Sequence, residues 1–137
     1  MKTIILYYSY SGKTKSLAAE KAKELNADIE EITEVKRPSM FGAFFIGVPK
    51  AVKRKKTKIM PIKADLAGFD QIIIMAPVWA SNPAPAFNSI VELIPSGKKI
   101  EIIMVSASSG TKSTEKGTIE LLTARECEVT RYSDVKA

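Results

Sequence analysis

The residue types of an anion-binding loop occur together near the start of the chain, in Ser9, Tyr10, Ser11, Gly12, Lys13 and Thr14. They follow an apolar stretch, Thr3–Tyr8, and lead into an amphipathic one. A strand, a tight turn and a helix N-terminus in that order direct backbone N–H groups at a ligand, and the helix dipole favours a negative charge there. The hydroxyl groups add donors. We therefore predict that this loop binds a phosphate monoester.

Five predicted strands alternate with predicted helices, which indicates an α/β domain with a parallel sheet. Three strands are almost continuously apolar and belong at the centre, because both of their faces are buried. The other two are half polar, as edge strands are. The pattern predicts one domain, residues 1–137, with a doubly wound five-stranded parallel sheet of order 2-1-3-4-5. In chain order the predicted strands are Thr3–Tyr8, Asp28–Ile32, Gln71–Ala76, Ile100–Ser106 and Glu126–Tyr132.

Three helices are predicted from apolar periodicity: Thr14 to about Asn26, about Pro85 to Ile94, and one that begins at Ser113 or Thr114. The segment Ser39–Lys56 is dense in apolar residues but broken by glycine and proline. We predict that it forms an irregular second crossover helix packed on the sheet. The alternative is an amphipathic contact with a membrane, because basic residues follow the aromatic ones.

Composition excludes several kinds of chemistry. The 137 residues contain no histidine and one cysteine, so a disulfide, a zinc site and a Ser-His-Asp triad are excluded, and no metal site is predicted. No apolar run is long enough for a membrane span, and the N-terminus has no signal-peptide pattern, so the expected location is the cytoplasm.

The net charge of +6 is unevenly distributed. From Lys36 to Lys63 there are nine lysine or arginine residues and no acid. One interpretation is a solvated helix end and loop. The other is a docking patch for an acidic protein or for nucleic acid. No aromatic residue interrupts the densest part, Lys53–Lys58, which makes nucleic acid the less favoured partner.

Two further loops follow the other central strands. Carboxyl ends of parallel strands meet at one edge of a sheet, so both loops should lie beside the first. The single tryptophan, Trp79, can lay its ring on a flat heterocycle, or can be half buried under its own loop. The small residues of the last loop leave N–H groups free for a polar ring edge. The predicted binding residues are Pro77, Val78, Trp79, Ala80 and Asn82 in one loop and Ser106, Ala107, Ser108, Ser109 and Gly110 in the other.

None of the three loops contains a strong acid, a strong base or a metal ligand, so no catalytic side chain is predicted and the chemistry must come from a cofactor. The sequence Gly12-Lys13-Thr14 also matches the end of a nucleotide-binding Gly-x-x-x-x-Gly-Lys-Ser/Thr loop. That motif requires a glycine where this chain has Tyr7, inside the first strand, and nucleotide hydrolysis is therefore rejected.

Together the three loops resemble the flavodoxin family, and in particular its short FMN-binding members. The first matches Ser/Thr-x-Ser/Thr-Gly-x-Ser/Thr at Ser9, Ser11, Gly12 and Thr14. The second, Ala-Pro-Val-Trp-Ala-Ser-Asn-Pro-Ala-Pro-Ala-Phe, is similar to the loop that covers one flavin face. The resemblance spans the chain. It implies FMN bound without a covalent link, with its phosphate in the first loop and its ring between Trp79 and the third loop. Lys13 is then a phosphate counter-charge or a solvent-facing side chain.

The resemblance implies an oxidoreductase-type flavoprotein in electron transport. Two alternatives remain: an NAD(P)H-dependent quinone reductase, and a flavodoxin-fold module that only binds a partner. Because the chain is basic, a redox partner protein should present an acidic face; a small-molecule acceptor is the other option. Tuning of the flavin to low potential by nearby acids is not expected, because the loops contain none.

The family's final helix, which follows the fifth strand, has no counterpart before Ala137. We expect its loss to expose apolar side chains of the sheet, among them Ile73, Met75, Ile103 and Val105. A homodimer or another partner would then cover this sheet face, or the natural sequence continues further.

Overall fold

A computed structural model describes residues 1–108 and 110–137. Its centre is a sheet in which the five longer strands are parallel and follow the order β2-β1-β3-β5-β6. A two-residue strand, β4, pairs antiparallel with the end of β3. The doubly wound order predicted for five strands is confirmed. The strands are β1 Thr3–Tyr7, β2 Asp28–Glu31, β3 Gln71–Trp79, β4 Asn82–Pro83, β5 Lys99–Ser106 and β6 Glu128–Lys136.

The helices connect these strands at the predicted places. The second crossover is a helical stretch from Met40 to Val52 whose middle, Ala43–Gly47, is a π-helical turn. Short 3₁₀ turns precede β3 at Leu66–Gly68 and α5 at Lys112–Thr114. The helices are α1 Lys13–Leu25, α2 Met40–Gly42, α3 Val48–Val52, α4 Pro85–Leu93 and α5 Glu115–Thr123.

Alternate residues of the central strands enter two separate cores, because strand side chains point to opposite faces. On one face, residues such as Leu6 and Ile74 pack with Phe87 of α4 and Leu122 of α5. On the other face, a smaller core forms against α1. β1, β3 and β5 are buried, while β2 and β6 are largely exposed. The predicted assignment of centre and edges is confirmed.

Two strand ends lie further along the chain than predicted. β3 does not stop at Ala76 but continues to Trp79. The last strand begins at Glu128 and runs to Lys136 rather than ending at Tyr132. A bulge explains its shifted pattern: Ile100 pairs with Val129, but Glu101 pairs with Arg131. From the bulge onwards, the alternation of β6 side chains between the two faces of the sheet is shifted by one residue.

The sheet face behind α1 is not the apolar surface that was expected. The four side chains predicted to be exposed are 0–6% exposed, all within this chain. Lys21 of α1 and Arg131 of β6 line the groove above them, and Lys21 forms an ion pair with Glu101, with 3.9 Å between nitrogen and oxygen. A homodimer through this face remains a prediction, without support from exposed apolar surface. The four side chains are Ile73, Met75, Ile103 and Val105.

Exposed apolar surface lies instead on the second crossover. The prediction of an irregular helix between Ser39 and Lys56 packed on the sheet is confirmed, but the large apolar residues of the segment do not make that packing. Within the stretch from Met40 to Val52, Gly47 and Ala51 are buried, while most of the large side chains point outwards. Among the described residues, no helix has the length and apolar character needed to cross a membrane.

Candidate functional site at the carboxyl edge of the sheet

The first loop forms an open helix N-terminus. Gly12 precedes α1 with φ of 101°, a value that favours glycine, and its N–H donates to the Ser9 hydroxyl over 3.1 Å. In the described part of the chain no side chain caps α1, and its first turn contains no acid. The first N–H groups of a helix have no partner within the helix. In this chain the free N–H groups of α1 lie at the loop, close in sequence to the exposed Ser11 and the buried Thr14. This arrangement suits an anion.

Tyr10 ties this loop to two other parts of the site. Its hydroxyl donates to the carbonyl of Pro38 over 3.0 Å. The guanidinium of Arg37 lies 4.6 Å from the centre of the Tyr10 ring and donates to the Tyr10 carbonyl. On its other side, Tyr10 meets Trp79 edge-on, with 5.7 Å between ring centres and 85° between planes. Sequence reasoning missed Arg37 and Pro38, because it treated their segment only as a source of charge.

The second loop is a β-hairpin rather than a free loop. Val78 pairs with Pro83 and Trp79 with Asn82 across a two-residue turn. Both turn residues have positive φ, 51° at Ala80 and 64° at Ser81, which is the geometry of a type I′ turn. The Asn82 side chain donates to the Ala80 carbonyl over 2.9 Å. The pairing of Trp79 with Asn82 fixes the position of the Trp79 backbone and so helps to place its ring.

Gly47 of the second crossover packs against the Trp79 ring, because it has no side chain to collide with it. A Cβ atom at position 47 would lie 2.5 Å from Cζ3 and 3.1 Å from Cε3 of Trp79. Gly47 is itself buried. The helical stretch therefore lies directly against the indole and forms one wall of the site. A glycine among large apolar residues indicates a close contact at position 47. The sequence alone does not show which ring makes that contact.

The third loop is anchored from β6. Ser106 ends β5 as a buried residue, whereas Ala107 and Ser108 are exposed; Ser109 lies outside the described residues. Gly110 has φ of 69°, and a Cβ atom there would be 3.0 Å from the Asp134 carboxyl carbon.

A short network holds this anchor together. The N–H and the hydroxyl of Thr111 donate to Oδ1 of Asp134 over 3.0 and 2.7 Å, and Thr111 also bonds to the hydroxyl of Tyr132. Burial, and secondarily the negative charge of Asp134, raise the pKa of Tyr132. The loops contain no acid, but β6 brings one beside the third loop, and this contribution was missed because β6 was predicted to end at Tyr132.

The predicted site residues thus meet at one edge of the sheet as three neighbouring parts. Ser9 to Thr14 form the helix N-terminus, Pro77 to Asn82 form the hairpin, and Ser106 to Gly110, apart from Ser109, form the third loop. The amine of Lys13 donates to the carbonyl of Ala137 over 3.2 Å, across the gap between α1 and the end of β6. Among the described residues no group of histidine, cysteine, aspartate and glutamate is placed to hold a metal ion.

Comparison with known proteins identifies the class of fold. No protein-family model and no curated protein matches the chain. Among solved structures, a Lactobacillus acidophilus flavoprotein in complex with FMN has a TM-score of 0.82 at 22% identity, covering 97% of this chain and 92% of that one. A flavoprotein from Bacteroides eggerthii has a TM-score of 0.83 at 14% identity, covering 97% and 87%. Flavodoxin 2 from Bacillus cereus has a TM-score of 0.61 at 19% identity, covering 99% and 84%.

These structures share one architecture with this chain over nearly its whole length. The chain therefore has an α/β flavodoxin-like fold, as the sequence resemblance implied.

Proposed function

We propose that this protein binds FMN at the carboxyl edge of its sheet and acts in electron transfer. The observation that carries the proposal is the placement of Trp79, held between Tyr10 and Gly47 beside the uncapped N-terminus of α1. A flat aromatic wall and an anion-binding turn at one edge are what a phosphorylated heterocycle requires. One of the similar structures, the Lactobacillus acidophilus flavoprotein, is a complex with FMN.

The donors present fit the two ends of FMN. The phosphate end would take the free N–H groups of the first turn of α1 and the hydroxyl groups of Ser11 and Thr14, with no acid in that turn to repel it. The ring end would lie against Trp79, with the backbone at Ala107 and Ser108 available to its polar edge. This set contains hydroxyl, amide and aromatic groups, and FMN offers complementary phosphate, carbonyl and ring surfaces.

When bound, FMN supplies the capacity to accept and donate electrons. The residues of this chain bind and orient it. The N-terminus of α1 stabilises the phosphate charge, the hairpin fixes Trp79, and the Thr111–Asp134 contact keeps the third loop in place. The chain's own contribution is then to bind and orient the cofactor and to leave it accessible to a partner.

FMN titration of two glycine variants tests the binding site. Gly12 and Gly97 both have positive φ, 101° and 81°, and no atom of the described chain lies within 4 Å of a Cβ at either position. Alanine at each should lower the free energy of unfolding by about 1–2 kcal/mol, because a left-handed backbone disfavours a side chain. Gly97 lies in the turn before β5, away from the site.

We expect Gly12→Ala to weaken FMN binding by about tenfold or more, equivalent to at least about 1.4 kcal/mol, because its side chain crowds the phosphate. Gly97→Ala should bind FMN as the unaltered protein does. Equal affinities in the two variants would contradict the proposed phosphate site.

Electron transfer is distinguished from the alternatives by assay of the FMN-loaded protein. For a carrier, we expect slow oxidation of NAD(P)H with a quinone and fast electron exchange with a reduced partner that presents an acidic face. Rapid, saturable NAD(P)H oxidation would assign the reductase activity instead. FMN binding without either reaction would assign a module that binds a partner.

A further inference from the structure

The second crossover carries a cluster of apolar side chains that no other part of the described chain covers. Phe41 and Phe45 lie 4.3 Å apart between ring centres, and Phe44 and Phe45 lie 5.1 Å apart. These rings contact one another instead of the core. The side chains of this group, which we call the Phe cluster, are Met40 at 82% exposure, Phe41 at 71%, Phe44 at 68%, Phe45 at 58% and Ile46 at 61%. Exposure of adjacent large apolar residues on this scale indicates a binding surface.

The positive charge of the protein is concentrated in the segment of the chain that carries this cluster. Nine of the 21 lysine and arginine residues lie between positions 36 and 63, where there is no acid. The twelve remaining cations are outnumbered by the 15 acids, so the rest of the molecule is net negative. Three of the nine have structural bonds: Arg37 holds Tyr10, Arg54 donates to Thr118 and Thr114, and Lys56 forms an ion pair with Glu92 over 3.0 Å. The side chains of Lys36, Lys53, Lys55 and Lys58 are exposed.

The positive charge of this surface favours some binding partners over others. A second copy docking through the same patch would bring two positive fields together, which is unfavourable. Lysine is depleted at protein–protein interfaces, whereas Lys36, Lys50 and Lys58 line the groove beside Ile46. Exposed aromatic residues flanked by lysine are characteristic of helices that lie in the headgroup region of an anionic bilayer.

We propose that the Phe cluster and the lysines around it bind the surface of an anionic lipid bilayer. The aromatic side chains enter the boundary between headgroups and acyl chains, and the lysines contact anionic headgroups, without any part of the chain crossing the membrane. The opposite side of the same helical stretch touches Trp79 through Gly47. Docking therefore places the carboxyl edge of the sheet next to the membrane. This inference goes beyond the proposed function and does not depend on bound FMN.

Co-sedimentation with lipid vesicles tests the proposal, using the full chain with and without added FMN. We expect binding to vesicles of equal parts phosphatidylglycerol and phosphatidylcholine and little binding to phosphatidylcholine alone. Phe41→Ser/Phe44→Ser/Phe45→Ser should lower the partition coefficient at least about tenfold, because apolar burial is lost. Lys53→Glu/Lys55→Glu should lower it at least about 25-fold, since each cation near an anionic surface contributes about fivefold.

Matched controls separate this surface from general charge and hydrophobicity. Lys23→Glu/Lys99→Glu changes the net charge equally at exposed positions at the other end of the sheet. Leu25→Ser/Ile29→Ser removes exposed apolar residues outside the cluster. Both controls should bind anionic vesicles nearly as well as the unaltered protein, and circular dichroism should show all variants folded.

Four outcomes would overturn the proposal. The first is no binding of the unaltered protein to anionic vesicles. The second is equal loss of binding in the control and cluster variants. The third is unchanged binding by the triple serine variant, which would mean charge attraction without insertion. The fourth is a dimer by analytical ultracentrifugation that becomes monomeric in the triple serine variant while neither binds vesicles, because the cluster would then cover a second copy.

Discussion

The contact between Gly47 and Trp79 gives a prediction whose size follows from the structure. A Cβ at position 47 would lie 2.5 Å from the indole, well inside the normal separation of carbon atoms. Overpacking of this kind costs about 1–3 kcal/mol. The backbone itself accepts alanine, because Gly47 has φ of −67° and ψ of −42°. Replacing glycine by alanine within a helix otherwise stabilises it by about 1 kcal/mol.

Gly42 provides the matched control, because it lies in the same helical stretch with φ of −63° and ψ of −38°. A Cβ there would approach Ser39 Oγ no closer than 3.4 Å. Both substitutions bring the same gain in helix propensity, so their difference isolates the collision with Trp79. Gly47→Ala should therefore be less stable than Gly42→Ala by about 1–3 kcal/mol.

Urea unfolding followed by circular dichroism measures this difference, and the fluorescence of Trp79, the single tryptophan, reports whether its ring has moved. In a double-mutant cycle, Trp79→Phe should recover about 1 kcal/mol or more of the loss in Gly47→Ala, because the smaller ring removes atoms from the collision. Gly47→Ala and Gly42→Ala with equal stabilities and unchanged emission would refute the close contact.

Two further predictions concern the hairpin and the face behind α1. Ala80→Asn/Ser81→Gly should raise the free energy of unfolding by about 1–2 kcal/mol, because asparagine and glycine tolerate the positive φ of this turn. Unfolding in urea would measure the change. A lower urea midpoint would contradict the assigned turn. Lys21→Ala should cost about 1–2 kcal/mol, because Glu101 is 7% exposed and loses its ion-pair partner. Most of the lost stability should be recovered in Lys21→Ala/Glu101→Leu, because the buried acid is gone. A double variant as unstable as Lys21→Ala would show that the ion pair does not stabilise this face.

The order of the sheet was predictable because hydrophobicity reports burial directly. The runs Gln71–Ala76 and Ile100–Ser106 are almost continuously apolar, as central parallel strands buried on both faces are. The first loop was predictable for a different reason: its glycine and hydroxyl residues are required by local backbone geometry, and Gly12 does take a positive φ. Both signals lie within a few residues of the structure they determine.

The parts that were mispredicted depend on strand pairing and packing that residue types alone do not show. The hairpin at Ala80 and Ser81 has no glycine in its turn, so its pattern is not that of a type I′ turn; pairing of Trp79 with Asn82 stabilises it instead. The bulge in β6 changes which side chains face α1 and cannot be seen in the alternation of residues. Ile103 is buried although no helix follows β6 among the described residues, because α1 and the long side chains of Lys21 and Arg131 border its groove.

The Phe cluster is apolar in sequence but exposed in the structure. Ser39–Lys56 was predicted to form a helix packed on the sheet, and it does, but the sequence did not show which of its residues make the packing. The helix instead buries its small residues, Gly47 and Ala51, and exposes its large ones. A close approach of backbone to Trp79 requires small residues on the inner face, and this leaves the aromatic residues outside.

Titration of the purified protein with FMN, following both the visible spectrum and Trp79 fluorescence, tests the central claim most directly. We predict stoichiometric binding, flavin bands shifted by the protein, and quenching of Trp79 in proportion to the FMN bound, because the ring should stack on the indole. A flavin spectrum identical to that of free FMN, with Trp79 emission unchanged at saturating FMN, would contradict the assignment of this edge of the sheet as a flavin site.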